Sequence, residues 1–575
     1  MSEVNILGMP LERLFLDISA IVVVATLLGL LARWLKQPLI LGYVLAGIIL
    51  GPSLFGFISE PQVIGVLSSF GIAFLLFLVG LELDLSKLKV IGRPSLLLGF
   101  GQVLFTAVVG FGIIRFFGFD SLPAIYIAIA LTFSSTIIVV KLLSERQALE
   151  SLYGRLAIGM LLMQDFIAIF ALIILSGFAG GQVPTTAELA FILLKGAGLI
   201  MLALLSGRFI LPHLFMKLAR SSELLLLSSI AWCFGFALVA VVGGFSLEIG
   251  AFLAGLALAR LPYHLEIVGR VRSLRDFFIT IFFVLLGSQL LFANLTAMAW
   301  PFIILSLFVL VGNPLIVMVI MGLMGYTKRT GFLVGLTVAQ ISEFSLILMH
   351  LGYRLGHVNT SEVALVTLIG ITTITLSSYL ITYGDSLYRR LAPYLKIFEK
   401  KTALENIKEI DSLNNHTVIF GCDRLGEKLV ASIQELGQPL LVIDFDPETV
   451  ARLLLQGVPC IYGDMSDPEI YERAQLKTAK IVISTVPDIN SNQLLLQETK
   501  RRGLSVPIYV TADTWQDTEN LYLAGADYVV FPHYLSGEYM STLLKQLNSN
   551  PAATAQERER HLKDLHHHYK SRHKA

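Results

Sequence analysis

The sequence predicts a polytopic α-helical membrane domain of about 13 transmembrane helices, with inverted repeats and two broken crossing helices, followed by a cytosolic α/β domain of Rossmann type. Three observations predict it. The 575 residues are 55% apolar and only 15% charged, with a mean hydropathy of +0.74, well above a soluble chain. Most charged residues fall after residue 385. Long apolar runs fill the chain before residue 383, whereas short strands alternate with amphipathic helices after residue 416. The resulting division is a membrane domain at 1–383, a charged connector at 384–415, a nucleotide-binding type of α/β domain at 416–547 and a His-rich tail at 548–575.

A membrane helix needs roughly 20 mainly apolar residues. Thirteen runs qualify, near 14–33, 38–56, 62–81, 94–116, 122–143, 152–176, 187–210, 223–242, 245–261, 276–292, 298–322, 330–352 and 361–383. Loops after odd-numbered runs hold the basic residues, among them Arg33, Lys36, Lys87, Lys89, Arg93, Arg146, Arg155, Arg260, Arg270, Arg272, Lys328 and Arg329. The opposite side has little beyond Arg13, Arg115 and Arg354. By the positive-inside rule the N-terminus is expected outside and the C-terminal domain in the cytoplasm. The opening "MSEVNILGMPLERLF" lacks the basic region of a signal peptide. Cys233, Cys422 and Cys460 suggest no disulfide framework. A formal net charge of +1 gives no electrostatic footprint for nucleic acid, and none is expected as a partner.

An ionised side chain inside a span is costly, so it lines a pathway or neutralises a partner. Asp165 stands near the middle of the sixth run, in "LLMQDFIAIF", beside Gln164. A carboxylate is a hard oxygen ligand suited to a small cation, and protonation removes the charge that holds the cation. One group that holds either a proton or a metal ion is the simplest exchanger. A structural anchor between helices is the competing account. The fifth run carries Thr132, Ser134, Ser135 and Thr136 in "LTFSSTIIVV", and the twelfth carries Thr337, Gln340, Ser342 and Glu343 in "GLTVAQISEFSLIL". These two polar interruptions stand seven runs apart, the pattern of broken helices in inverted-repeat transporters. Thr132, Ser134, Ser135 and Gln164 are candidate neighbours of an ion at Asp165; hydroxyls bonded only within their own helices are the alternative. Glu343 is expected to neutralise half-helix N-terminal dipoles in preference to binding the ion, with Gln340 and Asn313 supporting the crossing.

The soluble third reads as βαβ units, with strands at 416–420, 439–446, 458–464, 479–485, 506–513 and 526–532. The first is followed by a glycine loop, Gly421-Cys422-Asp423-Arg424-Leu425-Gly426. A dinucleotide fingerprint needs glycine at the middle position so that a pyrophosphate can approach. Asp423 stands there and repels a diphosphate, with Arg424 a partial offset. This favours AMP or a similar mononucleotide over NAD(H). Asp444 ends the second strand and is placed for ribose hydroxyls, and Asp464 ends the third. A domain that only dimerises is the alternative. Cys422 sits where a helix N-terminus lowers a thiol pKa, with Asp423 opposing. His561, His566, His567, His568 and His573 mark the tail, read as solubilising in preference to metal-binding or pH-sensing.

Several segments together resemble the monovalent cation:proton antiporter-2 family. They are "LKQPLILGYVLAGIILGP" (35–52), "FLVGLELDL" (77–85), "SST" (134–136), "LLSER" (142–146), "LLMQD" (161–165), "GAFLAGLALA" (250–259) and "FFVLLG" (282–287). The C-terminal domain, with "GAD" at 525–527, resembles the RCK N module. The combination is most similar to the glutathione-gated potassium efflux (Kef) type. The resemblance implies a multi-pass protein of the bacterial inner or plasma membrane, and a homodimer whose core domain rocks against a dimerisation domain. It implies Asp165 as ion carrier, potassium and protons as substrates, and room for an ancillary regulator. Electrogenic relatives tend to carry two adjacent Asp residues; Gln164 replaces the first here. Many carry a Lys near Asn313. Both departures fit electroneutral one-for-one exchange. Sodium as substrate is the nearest alternative. An RCK-gated channel should show a carbonyl filter such as T-V-G-Y-G, which this sequence lacks. A membrane oxidoreductase ranks last, since the spans offer no redox-centre ligands, and no enzymatic activity is expected.

Overall fold

The computed structural model describes residues 5–6, 9–35, 37–52, 54–57, 61–82, 92–146, 148–149, 151–176, 186–218, 221–290, 295–398, 413–466, 468–549, 558 and 562. The end of the 77–85 motif, the connector from 399 to 412 and the tail histidines lie outside the described residues. The chain divides into two compact units, Met1–Leu149 with Tyr153–Glu399, and Lys400–Ala575 with Glu150–Leu152.

The first unit opens on a short antiparallel pair, β1 (Asn5–Ile6) and β2 (Met9–Pro10). Helices follow at every expected run: α1 (Leu11–Trp34), α2 (Leu39–Leu50), α3 (Pro61–Glu82), α4 (Gly92–Phe116), α5 (Ser121–Ala130), α6 (Thr136–Glu145), α7 (Leu152–Ser176), α8 (Thr186–Leu205), α9 (Leu211–Leu218), α10 (Ser222–Val242), α11 (Leu247–Leu258), α12 (His264–Ser288), α13 (Leu295–Leu307), α14 (Asn313–Leu323), α15 (Lys328–Thr337), α16 (Glu343–Arg354), α17 (Thr360–Thr382) and α18 (Gly384–Leu391). Among the described residues, eight helical stretches are long and apolar enough to cross a membrane by length and composition, and α2, α5 and α11 are shorter apolar helices. The fifth and twelfth runs are each broken, α5 from α6 at residues 131–135 and α15 from α16 at residues 338–342.

Two boundaries differ from the hydropathy expectation, each for a local reason. The seventh run continues through a π turn, Ser206–Ile210, into α9. Ser206 Oγ donates to Leu202 O at 2.7 Å there, the kind of back-bonding that loosens an α-helical ladder. A second π turn, Phe308–Gly312, joins α13 to α14. Helix α12 begins at His264, ahead of the apolar run, where an i,i+4 pair, Arg270 to Glu266 at 3.1 Å, suits a polar helix start.

The helices pack as two groups. In one, α1, α2, α3, α10, α11 and α12 lie against each other. In the other, α4, α5, α14, α15, α16 and α17 do, and α7 joins them through hydrogen bonds described below. The glycine motifs of the sequence explain the first group. A Cβ on Gly47 of α2 would lie 2.0 Å from Val284 O of α12, and one on Gly287 would lie 2.1 Å from Val44 O. Gly80 of α3 and Gly255 of α11 make the same reciprocal approach, at 2.2 Å from Phe252 O and 2.0 Å from Phe77 O. Backbones this close need small residues, and lipid supplies no hydrophobic drive to replace such packing.

The second unit holds a six-stranded, all-parallel sheet of β3 (Thr417–Phe420), β4 (Leu440–Asp444), β5 (Cys460–Tyr462), β6 (Ile481–Ser484), β7 (Ile508–Thr511) and β8 (Tyr528–Val530). The strand order is β5-β4-β3-β6-β7-β8, the doubly wound order with its switch point between β3 and β6. Each strand lies inside an expected one. Helices α19 (Arg424–Glu435), α20 (Pro447–Leu455), α21 (Pro468–Arg473), α22 (Ile489–Arg501), α23 (Trp515–Ala524) and α24 (Pro532–Ser549) complete it. Two apolar clusters flank the sheet, one around Phe420, Ile443 and Val482, the other around Ile419, Val442 and Cys460.

Candidate functional site

The break between α5 and α6 frees backbone groups that a continuous helix would satisfy. Side chains from three other helices take them up. Gln164 Oε1 of α7 accepts from Ser134 N at 3.0 Å, and its Nε2 donates to Gln102 Oε1 of α4 at 2.6 Å. Gln102 Nε2 donates to Thr132 O at 3.3 Å and to Thr106 Oγ1 at 3.1 Å. Thr106 Oγ1 donates to Asn313 Oδ1 at 3.0 Å, and Asn313 Nδ2 to Leu131 O at 3.2 Å. Gln102, Thr106, Gln164 and Asn313 are all buried. They form one uncharged chain of hydrogen bonds that holds the break open.

Asp165 differs from this clamp. It is half-buried where Gln164 is buried, and its Oδ2 accepts from Thr136 Oγ1 at 3.0 Å. Thr136 is the first residue of α6, so the carboxylate lies at the positive end of that half-helix. The other hydroxyls of the break have separate fates. Thr132 Oγ1 turns back to Ile129 O at 2.7 Å. Ser135 caps α6 and donates to Glu343 Oε2 at 3.1 Å. Ser134 Oγ is buried with no hydrogen-bond partner. Of the three hydroxyls expected beside an ion, Thr132 and Ser135 donate their protons elsewhere, and Ser134 makes no hydrogen bond.

The second break is capped from within. Ser342 and Ser345 form a capping box on α16, with Phe344 N to Ser342 Oγ at 3.2 Å and Ser342 N to Ser345 Oγ at 3.2 Å. Ser345 Oγ also donates to Ala130 O at 2.5 Å, stitching α16 to the end of α5. Ser377 Oγ of α17 donates to Gln340 Oε1 at 2.8 Å, and Ile341 N donates to Thr373 Oγ1 at 3.3 Å. Glu343 opens α16 and reaches the cap of α6 through Ser135, between two half-helix N-termini.

In the second unit, Gly421 has φ of +84° and Gly426 approaches so closely that a Cβ would lie 2.3 Å from Gly421 O. The first and last glycines of the loop thus have backbone reasons. Asp423 is exposed at the N-cap position of α19. Leu425 is half-buried beside it; Arg424 opens α19, and its side chain lies outside the described residues. Asp444 is buried, and its two oxygens accept from Cys422 N at 2.6 Å and Asp446 N at 2.8 Å. Burial pushes its carboxyl above the usual range, against those two donors. Asp464 is buried and accepts from Ser466 N at 2.8 Å. Of the opposing influences expected at Cys422, those that raise its pKa prevail: burial, with Asp444 and Glu427 nearby, pushes the thiol up to about 12. The helix terminus acts on a thiol that has no water around it.

A model of the sodium/hydrogen exchanger transmembrane family matches residues 20–382. The chain belongs to this family. A model of the TrkA-N domain matches residues 417–532 of the exchanger. The exchanger is 28% identical over 550 residues to a putative cation/proton antiporter, YbaL, of Escherichia coli (strain K12), covering 92% of the chain and 96% of that protein. It is 27% identical to the putative K(+) efflux antiporter KefB of Alkalimonas amylolytica, over 86% of the chain and 75% of that protein. It is 30% identical to the chloroplastic K(+) efflux antiporter 3 of Arabidopsis thaliana, over 89% of the chain and 69% of that protein. The exchanger is a multi-pass membrane protein, a cation:proton antiporter-2 member of Kef type with an RCK N domain.

The hydropathy pattern of the exchanger pointed to Asp165, Gln164 and the two breaks. It passed over Gln102 and Thr106, although a Gln within the fourth apolar run is itself a polar signal. Thr136 was visible in the cluster but not as the residue that reaches Asp165.

Proposed function

We propose that the protein exchanges potassium for protons, one for one and without net charge movement, at Asp165. The observation that carries the proposal is a carboxylate held by Thr136 at an opened half-helix N-terminus, in a family of cation exchangers. The proton and the cation compete for the same oxygens, so each excludes the other. Electroneutrality follows from the surroundings. Where a second Asp and a Lys would add charge, Gln164 and Asn313 are neutral and bonded into the clamp. Ser134 Oγ is the hydroxyl of the break with no other partner, and serves as an additional ion ligand. Thr132 and Ser135 hold the break, while Glu343 and Gln340 support the crossing.

The chain crosses the membrane thirteen times, with its N-terminus outside and the RCK N domain in the cytoplasm, and works as a homodimer whose two helix groups rock to expose Asp165 alternately. It is a transporter, not an enzyme. Potassium is favoured over sodium because the relatives above include named K(+) efflux antiporters; the family description, sodium/hydrogen exchanger, keeps sodium as the second candidate. The cytosolic domain regulates transport by binding AMP or a similar mononucleotide. Asp423 at the middle loop position disfavours the diphosphate of NAD(H), and each Asp444 oxygen keeps a lone pair for a ribose hydroxyl.

The test is exchange in vesicles with a pH-sensitive dye, using potassium and sodium pulses. Asp165→Asn keeps the shape and removes the titrating group, so it should abolish cation-driven proton movement. Full activity in that variant would remove the mechanism.

A further inference from the structure

The two helix groups meet in an ion pair far from the crossing. Glu248, in the first turn of α11, is buried, and its Oε1 accepts from Arg354 Nη1 at 2.9 Å. Arg354 is the last residue of α16. Helix α11 packs on α3 and α10 in the first group, and α16 packs on α5 and α17 in the second. The pair therefore bridges the groups. Its place along the bundle follows from the chain. Helix α16 runs from the crossing to Arg354, and α17 then returns to Gly384. Arg354 is thus at the opposite end from Asp385, where Arg146 and Arg329 converge on one carboxylate.

The seam at this end is left half-satisfied. Glu248 Oε2 is buried with no hydrogen-bond partner. One turn deeper on α16, His350 packs edge-on against Phe282 of α12, ring centroids 5.8 Å apart, and its Nδ1 is likewise buried without a partner. Polar groups at the same end but within the second group are better satisfied. The Tyr126 hydroxyl lies 2.8 Å from His357 Nδ1 and 3.2 Å from Leu175 O. A buried charge pair with one oxygen unmet and its cation 47% exposed gains little from staying closed. Parting the groups would return Glu248 to water. The other end has an uncharged bridge between the groups, Gln37 Nε2 to the Tyr379 hydroxyl at 2.7 Å; Gln37 Oε1 is likewise buried without a partner, but that end of the seam holds a neutral amide where this one holds a charge.

We propose that Glu248 and Arg354 are the latch of the transport cycle. The pair is closed while Asp165 is open toward the Asp385 end, and separates when Asp165 opens toward the Arg354 end. The proposal rests on the exchange reading above and adds the residues that set which side is closed.

The full chain is tested in liposomes with Cys233, Cys422 and Cys460 replaced by alanine. Glu248→Cys with Arg354→Cys is cross-linked by a short bifunctional reagent that dithiothreitol cleaves. Cross-linking should lower potassium-driven proton exchange at least ten-fold, and reduction should restore it; a cross-linked protein that keeps the reduced rate overturns the latch. A second measurement keeps the native pair and places spin labels at Val242→Cys and Leu355→Cys, exposed positions on the two groups. Two distances should appear, their proportions shifting between high potassium at alkaline pH and no potassium at acid pH; a single unchanging distance overturns the proposal, and decides the matter where the reduced double variant is inactive. A parent chain that exchanges no cation for protons overturns the exchange reading instead, and the spin-label distances still report whether the pair opens.

Discussion

The two helix breaks look alike in the sequence and are built differently. Residues 131–135 are held by a clamp from α4, α7 and α14, which leaves Ser134 Oγ uncommitted and brings Asp165 to Thr136. Residues 338–342 are held by the cap of α16 and by Thr373 and Ser377 of α17, and present Glu343 back to the first break. The difference teaches that opening a helix in a membrane does not by itself make a site. The first break is held by side chains of three other helices and leaves one hydroxyl without a partner; the second is held by its own cap together with Thr373 and Ser377 of α17, and lends a charge.

Breaking the clamp should have the largest effect. Gln164→Leu strands Ser134 N and Gln102 Oε1, and an unsatisfied buried polar group costs on the order of 1–3 kcal/mol. The expected loss is about 2 kcal/mol or more, read as a lower melting temperature of the detergent-solubilised protein together with lost exchange. An unchanged melting curve would mean that the first break does not depend on α7.

Removing the cap of the second break should cost less. Ser342→Ala deletes an N-cap worth about 1 kcal/mol. Stability should fall by about that amount in the same melting experiment, while apparent cation affinity in the vesicle assay stays at the parent value. A large affinity change would make the second break part of the ion site and erase the distinction drawn above.

The smallest structural effect, and the sharpest functional one, belongs to Ser134→Ala. Its hydroxyl has no protein partner, so the melting temperature should not move. Losing one neutral ligand worth about 1 kcal/mol weakens apparent potassium affinity about five-fold. Destabilisation without an affinity change would show that Ser134 is a structural residue like Ser342.

Much of this was legible in the sequence because membrane chains announce their polar residues. The breaks were visible as Ser, Thr and Gln within apolar runs, and Asp165 as a lone charge. The six strands were visible from alternation, and the segments of α2, α3, α11 and α12 that carry the family resemblance hold the glycines that the structure shows as backbone contacts. What was not legible was pairing. Asn313 reads as a missing Lys until Thr106 and Leu131 O are seen to use both ends of its amide. Glu248 and Arg354 stand 106 residues apart, and Arg354 reads as a stray loop charge. At Cys422 the sequence set a helix terminus against Asp423, and burial decided the balance toward a raised pKa. A linear pattern shows that a polar group must be satisfied, and only the fold shows by whom.

The most direct measurement is proton release from the purified full-length protein on adding potassium in weak buffer. If Asp165 holds either a proton or the cation, the parent should release up to about one proton per chain with saturable potassium dependence, and Asp165→Asn should release none. Release that persists unchanged in Asp165→Asn would contradict the account.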